Sequence, residues 1–344
     1  MISRRPFRNR VLDFALVLVV ACCIMRNADA IQMKLERTLK DNSAVNSVAF
    51  SPDGKTLACG THKGIQLWDG RTGKLKNRWR WRKDWVGALA WSPDGRMLAS
   101  GSADNLIRIR DVRTGRVLHT LRGHSTELSS VAFSPNGLFL ASGSSSEVDE
   151  DTSGGECKLW DVRTGKLRRT LYKGDGVPAI AWSPDGQTLV AASGGLYQSS
   201  ELHFWNARTL NEDRVLKLHN RIEFQPEVNA VVFTRNTLIV VSYDDSSDTA
   251  FRLLDTRSGR FFRIMRNNER SVSDIALSPD NKFLAVASNN GSEATRIDLR
   301  DARTGKILQS AKERPKNIFS LAFSKDGLLA AGSENRNITL WRIK

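Results

Sequence analysis

His124, Ser142 and Trp160 share one stretch of the chain, and the first two are residue types that build nucleophilic sites. A serine beside a histidine and an acid can form a relay in which the histidine takes the hydroxyl proton. Two features oppose a hydrolase reading: the residues are spread along a repeated unit of strands, and no nucleophile turn precedes a serine. The preceding unit keeps Ser100 and Asp104 but carries Arg82 and Arg110 where the His and Trp would stand. His62, His119, His124, His203 and His219 fall at unrelated positions of their units. The chain has no Gly-rich phosphate loop, no His-Glu-x-x-His, no Cys-x-x-Cys and no defensible carboxylate pair. The expectation is a chain without catalytic residues, cofactor or metal site.

Residue types that bind are more frequent. Trp79-Arg80-Trp81-Arg82-Lys83-Asp84-Trp85 combines aromatic and basic side chains. Matched to the next unit, Trp79 takes the core position of Leu121. Trp81, Arg82, Lys83 and Trp85 take the loop positions of Gly123, His124, Ser125 and Glu127. Exposed Trp and Arg are enriched in binding hot spots, which makes these four the candidate partner-binding residues. Stacking by Trp between basic flanks also suits single-stranded nucleic acid, and packing between units is the plainer reading. An insertion at 144–156 holds Glu147, Asp149, Glu150, Asp151 and Glu156, and Asp244, Asp245 and Asp248 stand at the equivalent turn of a later unit. Their spacing is not that of a calcium loop, so a solvated acidic loop is expected.

Arg71, Arg113, Arg163, Arg208, Arg257 and Arg303 occupy one turn position in six consecutive units. Lys74, Arg116, Lys166, Arg260 and Lys306 form a second basic series, while Asp69, Asp111, Asp161, Asp255 and Asp301 neutralise part of it. Local turn chemistry accounts for the pattern; a docking face for an anionic polymer or membrane surface is the alternative. The whole chain of 344 residues carries 52 Lys+Arg against 37 Asp+Glu, a net charge of +15. That surplus invites a nucleic-acid reading. Its dispersal through recurring turns rather than one tract argues against it. With 40% apolar and 26% charged residues, wholesale disorder is excluded.

The elements that must position these residues repeat. Ser51-Pro52-Asp53-Gly54 recurs at Ser92, Ser134 and Ser183, with degenerate copies at Thr234, Ser278 and Ser324. Successive starts lie 41, 42, 49, 51, 44 and 46 residues apart, the period of a β-propeller. Each copy reads as an alternating strand, a Pro-Asp-Gly turn, a second strand, a third such as Gly64-Ile65-Gln66-Leu67-Trp68, an Asp-x-Arg-Thr-Gly turn and a fourth strand. Trp68-Asp69 and Trp160-Asp161 end third strands; elsewhere the pair drifts to Arg110-Asp111, Trp205-Asn206, Leu254-Asp255, Arg300-Asp301 and Trp341-Arg342.

These residues resemble the WD-repeat propeller family over nearly all of residues 31–344. The resemblance implies an all-β, seven-bladed propeller that offers rim loops to protein partners as a rigid, non-catalytic scaffold. The last copy ends after its third strand, and Leu35-Glu36-Arg37-Thr38-Leu39 matches the fourth-strand text Leu167-Arg168-Arg169-Thr170-Leu171. The N-terminal strand is therefore expected to complete the last blade and close the ring. A monomer is expected. Of the four cysteines, Cys59 and Cys157 fall on non-adjacent units and are expected as buried free thiols.

Residues 1–30 differ from the rest. Arg4, Arg5, Arg8 and Arg10 precede the apolar run from Phe14 to Met25, and Ala28-Asp29-Ala30 follows. That order is that of a secretory signal, and the run is too short for the roughly 18 to 20 residues of a spanning helix. Export to a periplasmic or extracellular location is the expectation. Arg4-Arg5 fits a twin-arginine signal, and Val19-Val20-Ala21-Cys22 a lipobox, in which case a lipid on Cys22 would tether the protein. A start at Met33 would instead leave it cytoplasmic. Loss of residues 1–30, with five Arg and two Asp, would leave +12.

Overall fold

Each Ser-Pro-Asp-Gly turn is closed by its own side chains. Ser51 Oγ donates to Asp53 Oδ1 at 2.6 Å, while the Lys55 and Thr56 amides donate to Asp53 Oδ1 and Ser51 Oγ at 3.0 and 2.9 Å. Gly54 takes φ +74°, which a side chain would strain. The same bonds recur at Ser92–Asp94, Ser134–Asn136, Ser183–Asp185 and Ser278–Asp280. A computed structural model describes residues 31–80, 84–145, 154–195, 198–218, 227–234, 237–243, 249–256, 258–267, 271–289, 295–312 and 317–344.

The turns connect antiparallel strands into four-stranded sheets. Six blades are continuous in sequence: residues 45–80, 86–121, 128–174, 179–217, 227–267 and 271–312, numbered one to six. The remaining sheet is composite. Ile318–Phe323, Leu328–Ser333 and Asn337–Ile343 supply three strands, and Met33–Lys40 adds the fourth, pairing from Met33↔Ile343 to Lys40↔Asn337. From the sequence, seven blades are expected, the last closed by the N-terminal strand. The structure corrects the count to six self-contained blades, the remaining sheet being assembled from both ends of the chain because the last repeat stops after its third strand.

The first strand of each sheet is innermost, and neighbouring inner strands pack side by side around the ring. In six of the seven inner strands the register slips at the second or third residue: Asn46, Gly87, Ser129, Asn229, Ser273 and Phe319. Such bulges place two residues opposite one and bend the strand, here around the central channel. Apolar side chains fill the spaces between blades; one cluster joins Ile65, Leu67 and Trp79 of blade one to Leu98 of blade two. Trp79 is buried, as its match to Leu121 implies.

Polar bonds add to that packing. Trp91 Nε1 donates to Ala49 O at 3.0 Å and Trp182 Nε1 to Ala132 O at 3.1 Å, each reaching the preceding blade. Where the Asp-x-Arg-Thr-Gly turns meet a neighbour's outer strand, only glycine fits. At Gly115, φ is +72° and an added Cβ would lie 2.8 Å from Trp79 Nε1. Cys59 and Cys157 are free and buried, and burial pushes the Cys157 thiol up to about 12.

Candidate functional site

Blade three assembles the polar trio its sequence suggests. His124 Nε2 lies 2.6 Å from Ser142 Oγ, and Trp160 Nε1 donates to the same oxygen at 2.8 Å. His124 Nδ1 faces Glu156 Oε2 at 3.5 Å, and Lys158 Nζ pairs with Glu156 at 2.9 Å. Glu156, at the end of the acidic insertion, is thus the acid beside the His–Ser pair. Burial first, then the Lys158 charge, lowers the His124 pKa to about 4 against the opposing pull of Glu156. The ring is neutral and wedged between strands, a structural bracket.

Blade four holds an arrangement that the sequence reading missed. Ser193 Oγ lies 3.0 Å from His203 Nε2, and His203 Nδ1 lies 2.7 Å from Glu212 Oε1. The order serine–histidine–carboxylate is that of a nucleophile relay, but Ser193 is 2% exposed and His203 5%. A substrate cannot reach the hydroxyl. Tyr172 and Trp205 close over the imidazole at 4.6 and 5.7 Å between ring centroids. The three residues come from the second, third and outer strands, so the relay ties the blade's strands together.

The central channel encloses about 340 Å³ and is lined by all seven inner strands. Its wall includes one carboxylate, Asp274, which accepts the Ile275 amide at 2.8 Å and, across the blade boundary, the Leu321 amide at 2.7 Å. Burial pushes its pKa up to about 7 despite those bonds. Ser320 Oγ accepts the Val48 amide at 3.2 Å and continues the chain of latches to blade one. Among the described residues no group of three or more His, Cys, Asp or Glu could hold a metal ion.

The two rims differ. Gly70 N donates to Lys55 O, Val112 N to Arg96 O and Val162 N to Leu138 O, at 2.9 to 3.0 Å. The Ser-Pro-Asp-Gly and Asp-x-Arg-Thr-Gly turns therefore share one rim, the basic one. Arg71, Arg113, Arg163, Arg208 and Arg303 are exposed there; Arg257 lies outside the described residues. The aspartates hold the turns: Asp111 Oδ1 accepts Thr114 N and Oγ1, both at 2.7 Å, and Asp69, Asp161 and Asp301 do likewise. Hydrogen bonds from the turn threonine keep all four carboxyls below their usual range. Each of these four turns thus carries one carboxylate against two cations.

The residue after the second cation is apolar and exposed in four blades, and the N-terminal strand repeats it. Leu75, Val117, Leu167 and Ile307 follow Lys74, Arg116, Lys166 and Lys306, and Leu35 follows Lys34. Leu35 is 53% exposed and the others 40% to 45%. Composition alone did not single out this series; its signal was the recurrence of an apolar letter at the start of an edge strand.

On the opposite rim, Trp85 is half-buried. Its ring lies beside His62, centroids 6.2 Å apart, and over Gly87, where a Cβ would come within 2.7 Å of Cζ3. Trp85 O accepts Ser102 Oγ at 2.9 Å and Ala103 N at 3.1 Å, which fixes its main chain. Trp81, Arg82 and Lys83 lie outside the described residues, as do most of the acidic insertion and Asp244, Asp245 and Asp248.

Two family models match the chain. The WD domain, G-beta repeat, matches residues 33–69, 115–161 and 165–206, and the anaphase-promoting complex subunit 4 WD40 domain matches 79–136 and 233–326. With four-stranded sheets ringed about a channel, the chain belongs to the WD-repeat β-propeller family. Such propellers generally mediate protein interactions as scaffolds and are generally non-catalytic. No curated protein matches the chain.

Proposed function

We propose that this protein is a non-catalytic scaffold that engages a protein partner through the rim carrying Trp85. The observation behind this reading is a tryptophan whose main chain is pinned by Ser102 and Ala103 while its ring stays half-open on His62. A rigid, partly exposed Trp loses little conformational entropy on binding, which is why such residues dominate interface energetics. Arg82, Lys83 and Trp81 extend the same loop in sequence. Affinity capture from the native host, comparing the wild-type chain with Trp85→Ala, tests it. A partner retained at high salt by the wild type and lost by the variant, with equal melting of the two, is the expected result; equal capture by both overturns it.

A second reading, binding of an anionic polymer or membrane surface, rests on the exposed arginines repeated around the basic rim. We also read residues 1–30 as an export signal removed from a monomeric mature protein, supported by the Arg-rich head, apolar run and Ala28-Asp29-Ala30. N-terminal sequencing of the protein isolated from its host checks that cleavage.

A further inference from the structure

We infer that the basic rim docks flat on an anionic lipid bilayer, an inference that rests on the second reading above and narrows it to one ligand class. The argument turns on the exposed residues that alternate with the cations. On this rim each Asp-x-Arg-Thr-Gly turn presents an arginine, a lysine or second arginine, and then an apolar side chain. Leu35, Leu75, Val117, Leu167 and Ile307 recur at one position, 40% to 53% exposed, in five of the seven sheets. Leu138, 59% exposed, adds a further apolar side chain at a neighbouring turn of the same rim.

A polyanionic polymer satisfies the cations and leaves these leucines and valines in water. A bilayer satisfies both, because phosphates lie at the depth of the cations and the acyl boundary receives short apolar side chains just beyond them. Ring geometry supports the same choice. The turns are built alike by the same Asp–Thr bonds, so the basic–apolar pairs recur at one level around the ring. That suits an extended plane rather than a narrow strand. The turn carboxylates are already committed to their threonines, and each turn keeps a net positive charge.

Co-sedimentation of the full chain with lipid vesicles tests this, residues 1–30 being common to every variant. Partition onto phosphatidylglycerol-containing vesicles should exceed that onto phosphatidylcholine alone by about 10-fold, and fall only partly in high salt. Replacing Leu75, Val117 and Leu167 together by Ser should lower vesicle binding about 5-fold or more while heparin retention is unchanged. Replacing Arg71, Arg113 and Arg163 by Gln should weaken both, which also guards against a misfolded serine variant. Heparin retention with vesicle binding indifferent to the serine changes overturns the membrane inference but leaves a polymer binder. Failure to bind either overturns the second reading as well.

Discussion

Cys59 occupies in blade one the place that Ser142 holds in blade three, as the matching registers Leu57↔Trp68 and Leu140↔Trp160 establish. Trp68 Nε1 is consequently buried without an acceptor, and Asp41 Oδ2, near Cys59, is buried without a donor. Desolvation, with the Asp41 charge added, pushes the Cys59 thiol well above its ordinary value, so it offers Trp68 only a weak acceptor. Cys59→Ser would place a hydroxyl that accepts from Trp68 and donates to Asp41. The expected gain is about 1 kcal/mol, read as a rise of about 3 °C in the melting temperature. A lower melting temperature would mean that the serine cannot reach either atom.

At the scale of elements, the outer strands decide most. Each blade ends in an edge strand, and Lys76, Arg78, Arg168 and Arg169 place charge along two of them, a common defence against unwanted pairing. The N-terminal strand differs in function because it is the outer strand of a sheet whose other strands come from the end of the chain. It buries Met33 and Leu39, and Arg342 bonds Glu36 at 2.9 Å and Asp326 at 3.0 Å at this junction. Deleting residues 34–40 should lower the melting temperature by about 10 °C or more and broaden the transition, since every blade depends on its neighbours for burial. Unchanged cooperative melting, followed by calorimetry, would remove this strand from the account of closure.

For the whole molecule, two desolvated groups make stability depend on pH in opposite directions. His124 resists protonation down to about 4, below the ordinary histidine value of 6.5, so the unfolded chain binds the extra proton in that window. Its contribution is present above about pH 6.5 and lost on acidification towards 4, up to about 3 kcal/mol. Asp274 is the reverse: its folded pKa is raised from 3.8 to about 7, so its contribution is lost as pH rises through that range. Between pH 4 and 6.5 the slopes oppose each other, and the ring should show a flat melting profile. His124→Gln should leave stability falling as pH rises, and Asp274→Asn should leave it rising. Parallel profiles for the two variants would contradict these assignments. His124 lies among the strands of blade three and Asp274 on the channel wall, so the pair reports on the packed blades rather than on a surface loop.

Much of this was legible in the letters because it is local. A Ser-Pro-Asp-Gly turn is closed by hydrogen bonds spanning two to five residues, and the Asp–Thr bonds of the other turns span three. Such bonds can be read from spacing, and with them came the repeat, the strand order and the shared basic rim. The blade-three trio was readable too, because His124, Ser142 and Trp160 hold fixed places within one repeat. Glu156 as its acidic member was not, since an insertion breaks the spacing that would have pointed to it. Nor was Ser193–His203–Glu212, whose meeting depends on the registers of three strands.

Trp81, Arg82 and Lys83 remain a reading from sequence, while Trp85 has a defined place beside His62. The repeating turn chemistry is written in the letters, because each turn carries its own partners within a few residues. Which hydroxyls are sealed, which carboxylate faces the channel and which leucines of the edge strands stay open to solvent depends on packing. Burial is set by neighbours that lie a whole blade away, and at the junction of the two chain ends by residues about 300 positions apart.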